Sequence, residues 1–422
     1  MVALWKRNKI IFVFIIAIFL MFPTALSKES IAYTHLICVA IGIDKQEEEY
    51  EISLQVVVPK QSNAFNQTLK VVSAKAETVK EAVDEIKYHV GKEIGFAQCG
   101  FIVFNEEASK ENILLPIDYL IRTHNLNYNC ILVTTDKSAN KILELNGNFG
   151  QSYSFDLNRI LEYNERNLFA TNSNIEHAYR SYLSPNKAFA TSLVSATDDK
   201  SEGVEGEKSS SGQGSGSDSE SGGSSGGSSG SGSSSGGNDK EKFLSNQGKL
   251  ALYNAGKMVE IVDNKEINGI EYLNPYANDL AIKVEDFTSG IFNNATIEIE
   301  VIGKKCSYHH KIVGDKLKYK CNVLLYLKLN DINQEDGYEE LLDPNKDYFT
   351  EELVEQIKKQ EAERVQTSIN KLKELNLDFV NVYDSFNRWL YDDFQKYLKQ
   401  QNHSEDYFQN TDFEVDFTII SD

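Results

Sequence analysis

Cys306, His309, His310 and Cys321 are the one cluster of soft metal ligands in this 422-residue chain, placed on two strand-like runs around Gly314-Asp315. Thiolates and imidazoles suit zinc. Adjacent histidines on a strand point to opposite faces, however, so only one of the two can join the cysteines. A disulfide between neighbouring strands and a chance pairing are the commoner outcomes for two such cysteines, and no metal site is assigned.

Other matches to chemical motifs fail on context. Gly222-Gly223-Ser224-Ser225-Gly226 has the spacing of a hydrolase elbow, but that motif needs a strand before the serine and a helix after it, and here it lies in a Ser/Gly tract. Asp343, Asn345 and Asp347 imitate the start of a calcium loop. Tyr348 then stands where glycine makes the turn, and Val354 where a bidentate glutamate belongs. A helix-entry turn accounts for them better. His35, His89, His124 and His177 have no serine or cysteine partner at a recognisable spacing, and no glycine loop suited to phosphate is present. The expectation is a non-enzyme with no catalytic residue, no cofactor site and no metal site.

The start of the chain fixes the compartment. Lys6, Arg7 and Lys9 precede an apolar run from Ile10 to Phe22, and Pro23-Thr24-Ala25-Leu26-Ser27 follows. Residues 1–27 therefore read as a secretory signal or an N-terminal membrane anchor. The run is at the short end for a span, which needs ~20 residues, and Pro23 to Ser27 offers a cleavage site. Either way the rest of the chain lies outside the cytoplasm, because the positive flank stays inside. A formal net charge of -20 argues against nucleic acid as a partner. The five cysteines are too few and too scattered for a disulfide scaffold, which suits an exported bacterial protein that does not rely on such bonds.

Ser201 to Gly237 is almost wholly Ser and Gly, the composition of a flexible coil. The expected organisation is an N-terminal domain over 28–195, a Ser/Gly-rich linker over 196–242 and a C-terminal domain over 243–422. In the first half, Leu36–Asp44 and Tyr50–Val58 read as strands. Thr78–Val90 follows as a helix, Gln98–Phe104 as a strand, Glu107–Thr123 as a helix, Asn129–Thr135 as a strand and Lys137–Leu145 as a short helix. Phe155–Asn167 and Ile175–Leu183 read as further short helices. After the linker come a hairpin over Lys249–Val262 and a strand-rich block over Ala295–Ile302, Ser307–Ile312 and Tyr319–Leu329. Thr350 caps a long helix with Ile357, Val365, Ile369 and Leu372 on its apolar face. A second amphipathic helix carries Phe379, Val382, Phe386, Trp389, Leu390, Phe394 and Tyr397, and a strand through Phe413, Val415, Phe417 and Ile419 ends the chain. The predicted class is multi-domain α+β, with mixed sheets and long C-terminal amphipathic helices.

The order of these elements and several local phrases resemble the Ger(x)C family of spore germination proteins, the C subunits of nutrient germinant receptors. In the N-terminal half the phrases are Ile41-Gly42-Ile43-Asp44-Lys45, Ser73-Ala74 through Glu77-Thr78, and Gly100-Phe101-Ile102-Val103-Phe104. In the C-terminal half they are Gly256-Lys257-Met258-Val259, Glu266-Ile267-Asn268-Gly269-Ile270, Leu377-Asp378 leading to Trp389, and Glu414-Val415-Asp416-Phe417. The resemblance implies several α+β domains held at the outer face of the cytoplasmic (spore inner) membrane, with membrane-embedded A- and B-type receptor subunits as partners. Lys28-Glu29-Ser30 stands where family members carry a lipobox cysteine, so attachment through a peptide segment or through partners is expected instead of a lipid. The long Ser/Gly insertion is also unusual for the family. The alternative is an exported ligand-binding or wall-associated protein unrelated to germination, with a concave pocket of convergent polar groups.

Overall fold

The computed structural model describes residues 35–58, 68–145, 174–197, 243–275, 280–334, 348–400 and 404–421. The N-terminal segment 1–27, the expected helix over Phe155–Asn167, the Ser/Gly tract and the Asp343–Asp347 turn lie outside them. Among the described residues no helix is long and apolar enough to cross a membrane.

Strands β1 (His35–Gln46), β2 (Glu49–Val58) and β3 (Thr68–Ala76) form an antiparallel meander. Helix α1 (Val79–Val90) follows, capped by Thr78, whose hydroxyl accepts the Glu81 amide at 3.2 Å. The short β4 (Glu93–Gly95) and β5 (Phe101–Asn105) both run parallel to β1. Helices α2 (Glu106–Ser109) and α3 (Leu114–His124) come next, then β6 (Ile131–Thr135), α4 (Ala139–Glu144), α5 (Ile175–Leu183) and β7 (Ala188–Thr197). After the Ser/Gly tract, β8 (Phe243–Asn254) and β9 (Lys257–Asp263) close a nine-stranded mixed sheet, ordered β3-β2-β1-β5-β6-β7-β8-β9 with β4 on β1.

That sheet does not stop where the composition changes. β7 and β8 pair antiparallel from Ala188↔Asn254 to Thr197↔Phe243, so the tract between them joins two adjacent strands of one sheet. Alternation along this pair gives it two working faces. Phe189, Ala251 and Tyr253 enter the core of the N-terminal half, while Ala188, Ala190, Leu250 and Leu252 enter the core of the C-terminal half.

The C-terminal half opens with α6 (Asn264–Ile267) and a 3-10 turn over Asn268–Leu273. Strands β10 (Ala281–Ser289), β11 (Phe292–Val313), β12 (Lys316–Asn333) and β13 (Thr411–Ser421) make a second mixed sheet in that order, with only β12–β13 parallel. Between β12 and β13 run α7 (Glu351–Glu374), α8 (Val382–Trp389) and α9 (Tyr391–Lys399). Thr350 caps α7 as expected, accepting the Leu353 amide at 3.2 Å, and Ile357, Val365, Ile369 and Leu372 are buried.

The α+β class with two mixed sheets holds, but several elements differ from expectation. The expected helix over Glu107–Thr123 is two, because Asn112 accepts the Leu114 amide (3.1 Å) and Ile113 donates its amide to the Gly256 carbonyl (3.0 Å). Those bonds divert the backbone from a continuous helix. The strand block before Gly314 is one 22-residue strand, with register shifts against β12 between Glu298 and Ile299 and between Val301 and Gly303. One long C-terminal helix is present. The second, expected to run past Trp389, breaks at Leu390 (φ -135°, ψ 43°) into α8 and α9. The break buries Phe386 and Phe394 together and leaves Trp389 70% exposed instead of in the apolar face. β3, β4, β7 and β10 add to the expected strands.

Candidate functional site

The segment between α7 and α8 builds one wall of a cavity. Asp378 is buried, and its carboxylate accepts the amides of Val382 (2.9 Å) and Tyr383 (3.0 Å) and the hydroxyl of Tyr407 (3.1 Å). Burial pushes its pKa up, and those three donors pull against that rise. Asn381, at φ 59°, turns the chain into α8. With its first turn fixed in this way, α8 presents Asp384, Ser385, Arg388 and Trp389 to a cavity of about 680 Å³. Positions i, i+1, i+4 and i+5 share one helical face.

The opposite walls come from distant parts of the chain. Tyr308 and His310 on β11 and Tyr319 on β12 supply aromatic rings, and Arg180 on α5 approaches from the N-terminal half. His310 meets Tyr319 and Phe386 edge to face, at 5.1 Å to each ring centre. Burial holds its pKa below the ordinary imidazole value, and its Nε2 is buried without a hydrogen-bond partner. Arg180 is paired with Glu176 at 2.6 Å. The side chains of Asp384 and Arg388 form no hydrogen bond or ion pair among the described residues.

The Cys-His cluster of the sequence separates into two places. Cys306, Tyr308 and His310 share one face of β11, and exposed His309 lies on the other. Four residues along a strand span ~13 Å, and Tyr308 stands between Cys306 and His310. His310 therefore lines the cavity, away from the thiols. Cys306 and Cys321 are free thiols in side-chain contact, with Cys321 opposite Tyr308 in the register. The contact with Cys321, opposed by burial and helped by Tyr308 and Lys304 nearby, pulls the Cys306 thiol below its ordinary range. Among the described residues no group of three or more His, Cys, Asp or Glu side chains is arranged to hold a metal ion.

The other cysteines, scattered in sequence, converge in the core. Cys38, Cys99 and Cys130 are all buried, and the Cys130 thiol donates to Cys99 Sγ at 3.8 Å. The remaining histidines among the described residues sit apart. His124 stacks on Phe96 at 4.9 Å and contacts the Tyr119 hydroxyl at 3.2 Å, His177 lies on α5, and His89 is exposed near the end of α1. The cavity residues Arg180, Asp384 and Arg388 were not singled out from sequence. Asp384 and Arg388 carried one usable signal, an i,i+4 charge pair within an aromatic-rich helix.

Two family models cover most of the chain. One, described as the spore germination protein N-terminal domain, matches residues 34–196, and the other, described as spore germination B3/GerAC-like, C-terminal, matches residues 248–420. The chain belongs to the Ger(x)C family of spore germination proteins. It is similar in fold to the crystal structure of the GerBC protein, with a TM-score of 0.51 and 13% identity over 90% of this chain and 96% of that one. Sequence comparison with curated proteins finds no match.

The phrases that carry the family resemblance have packing roles in this member. Asp44 is buried at the end of the Ile41–Lys45 phrase, and its carboxylate accepts the Ala139 amide (2.7 Å), the Asn140 amide (3.0 Å) and the Ser138 hydroxyl (2.9 Å). It thereby caps α4 from a different strand. A Cβ at Gly42 would lie 3.2 Å from the Ala139 side chain, so glycine lets the same helix approach β1. In the Glu266–Ile270 phrase, Glu266 completes a capping box with Asp263. A Cβ at Gly269 would stand 2.5 Å from the Arg364 carbonyl oxygen, so this glycine lets α7 seat against the 3-10 turn.

Proposed function

We propose that this protein is the non-catalytic C subunit of a nutrient germinant receptor, held at the outer face of the membrane through the segment Ile10–Phe22 and docked on membrane-embedded A- and B-type subunits. The observation that carries this is the match of both family domains, in order, across residues 34–196 and 248–420. The basic-then-apolar start of the chain supports the membrane placement. On this reading residues 28–195 and 243–422 lie outside the membrane, sharing the nine-stranded sheet through β7 and β8, and 196–242 is a tether. The protein's part is to couple the receptor's response to nutrient with germination, through contacts and not through chemistry.

A deletion strain with no redundant copy tests the role: its spores should lose the response to at least one nutrient while still germinating through receptor-independent triggers. Spores that respond normally to every nutrient tested would refute it. The mass and fractionation of the mature protein in a Gram-positive host test the placement. Full-length protein in the membrane fraction is expected, and a product beginning at Lys28 and free in the medium would refute anchoring through Ile10–Phe22.

A further inference from the structure

We propose that Cys306 and Cys321 form a redox-active dithiol oxidised by small disulfides, with Cys306 attacking and Cys321 resolving, and that its closure loosens the turn over residues 271–274. Both are free thiols in side-chain contact. In the register of β11 on β12, Cys306 faces Val323 and Cys321 faces Tyr308, so the two meet diagonally across neighbouring strands. Diagonal neighbours lie ~7–8 Å apart, beyond the ~4.4–6.8 Å that a relaxed disulfide spans between Cα atoms. Closure therefore draws the strands together, and the bond formed is of the strained, easily reduced kind. Access separates this pair from Cys99 and Cys130, whose sulfurs are 3.8 Å apart but which lie in the N-terminal core at 3% and 1% exposure. Cys306 is partly exposed and Cys321 is buried.

The surroundings give the two sulfurs different parts. Contact with Cys321, with Tyr308 and Lys304 nearby, favours the Cys306 thiolate against the pull of burial, while contact with Cys306 and burial keep Cys321 protonated. The oxidant is a low-molecular-weight disulfide, RSSR. The Cys306 thiolate attacks one of its sulfurs and expels RS⁻, leaving a mixed disulfide. Cys321 then gives up its proton and attacks Cys306 Sγ, expelling the second RS⁻. One small disulfide is reduced to two thiols, and two protein thiols are oxidised to one disulfide.

The pair also fastens a wall of the cavity. Side chains on one face of β11 hold four consecutive carbonyls. Lys304 Nζ donates to those of Glu271 and Asn274 (2.6 Å each), Cys306 Sγ to that of Tyr272 (3.3 Å) and the Tyr308 hydroxyl to that of Leu273 (2.8 Å). Leu273 and Asn274 line the cavity. Neither the Cys306 thiolate nor the disulfide has a hydrogen to give the Tyr272 carbonyl, so oxidation removes one of the four bonds that hold this turn.

Full-length protein in detergent would be incubated with oxidised glutathione, then denatured, blocked with N-ethylmaleimide and digested with trypsin. Cleavage after Lys305, Lys311, Lys320 and Lys328 puts the two cysteines in separate peptides, 306–311 and 321–328, which only the disulfide joins. The joined peptides are expected, with Cys38, Cys99 and Cys130 still reduced because the core encloses them. Cys321→Ser should stop at Cys306 carrying one glutathione, and Cys306→Ser should carry none. Cys321→Ala replaces the first variant if a buried hydroxyl unsettles the core. Hydrogen exchange over residues 268–275 should rise on oxidation of the wild type and fall back with dithiothreitol. No joined peptide, a disulfide between any other pair, no adduct on Cys306 in either Cys321 variant, or unchanged exchange would overturn the proposal.

Discussion

Asn186, in the turn between α5 and β7, donates its side-chain amide to Asn381 Oδ1 at 3.0 Å and to the Asp378 carbonyl at 3.3 Å. These bonds join residues 192 and 195 positions apart, one of them through Asn381, which lines the cavity. They hold the end of α5, which carries Arg180, against the start of α8, which carries Asp384 and Arg388. Asn186→Ala removes both bonds and should lower stability by about 1–2 kcal/mol, read as a lower urea midpoint at unchanged slope.

Gly269→Ala places a methyl group against the Arg364 carbonyl of α7, in rigid backbone that cannot swing aside. The same shift threatens the bond from the Gly269 amide to Ser368 Oγ, 3.1 Å long. A loss of about 1–3 kcal/mol is expected, measurable as a fall in Tm. Gly290→Ala serves as the comparison: it is a turn glycine with nothing near its absent Cβ, so its loss should reflect only the strain of φ 59°.

Asp44 joins β1 to α4 through three hydrogen bonds to one carboxylate. Asp44→Ala strips the helix of its cap and leaves buried amides without acceptors, so about 2 kcal/mol should be lost. Asp44→Asn keeps one acceptor oxygen and should fall between the two. Chemical denaturation of the three proteins side by side gives the ranking.

Acidification should weaken the fold through its histidines. Burial holds His124, His177 and His310 below the ordinary imidazole value of 6.5. Between each lowered folded value and 6.5 the unfolded chain holds more protons than the folded one, so stability rises with pH there and is lost as pH falls through 6.5. Asp44 and Asp378 act in the opposite sense. Burial raises their carboxyl pKa values above the ordinary 3.8, so the folded form binds the proton more tightly and these two groups gain stability as pH falls through the raised values. A urea midpoint that drops from pH 7.5 to 5.5, with a shallower drop in a His177→Gln variant, is the expected result.

Much of the fold was legible in the sequence because the signals are local. The cap at Thr350, the apolar stripe of α7, the hairpin at Asn254–Gly256 and the alternation of Phe413, Val415, Phe417 and Ile419 each follow from side-chain period and turn chemistry within a dozen residues. The opposite faces of His309 and His310, too, follow from strand geometry alone. The ordered phrases around Gly42, Asp44 and Gly269 marked the family, though nothing local says why those residues are needed.

Tertiary structure decided the rest, because contacts between distant segments override local preference. The nine-stranded sheet crosses the Ser/Gly tract because β8 completes its backbone hydrogen bonds on β7, a pairing that no window of sequence contains. The second C-terminal helix breaks at Leu390 without proline or glycine, where Phe386 and Phe394 are buried together while Trp389 turns outward. The cavity exists only once α5, β11, β12 and α8 converge, which is why Arg180 and Arg388, 208 positions apart by their numbers, came to face one site while His310 parted from the cysteines beside it in sequence.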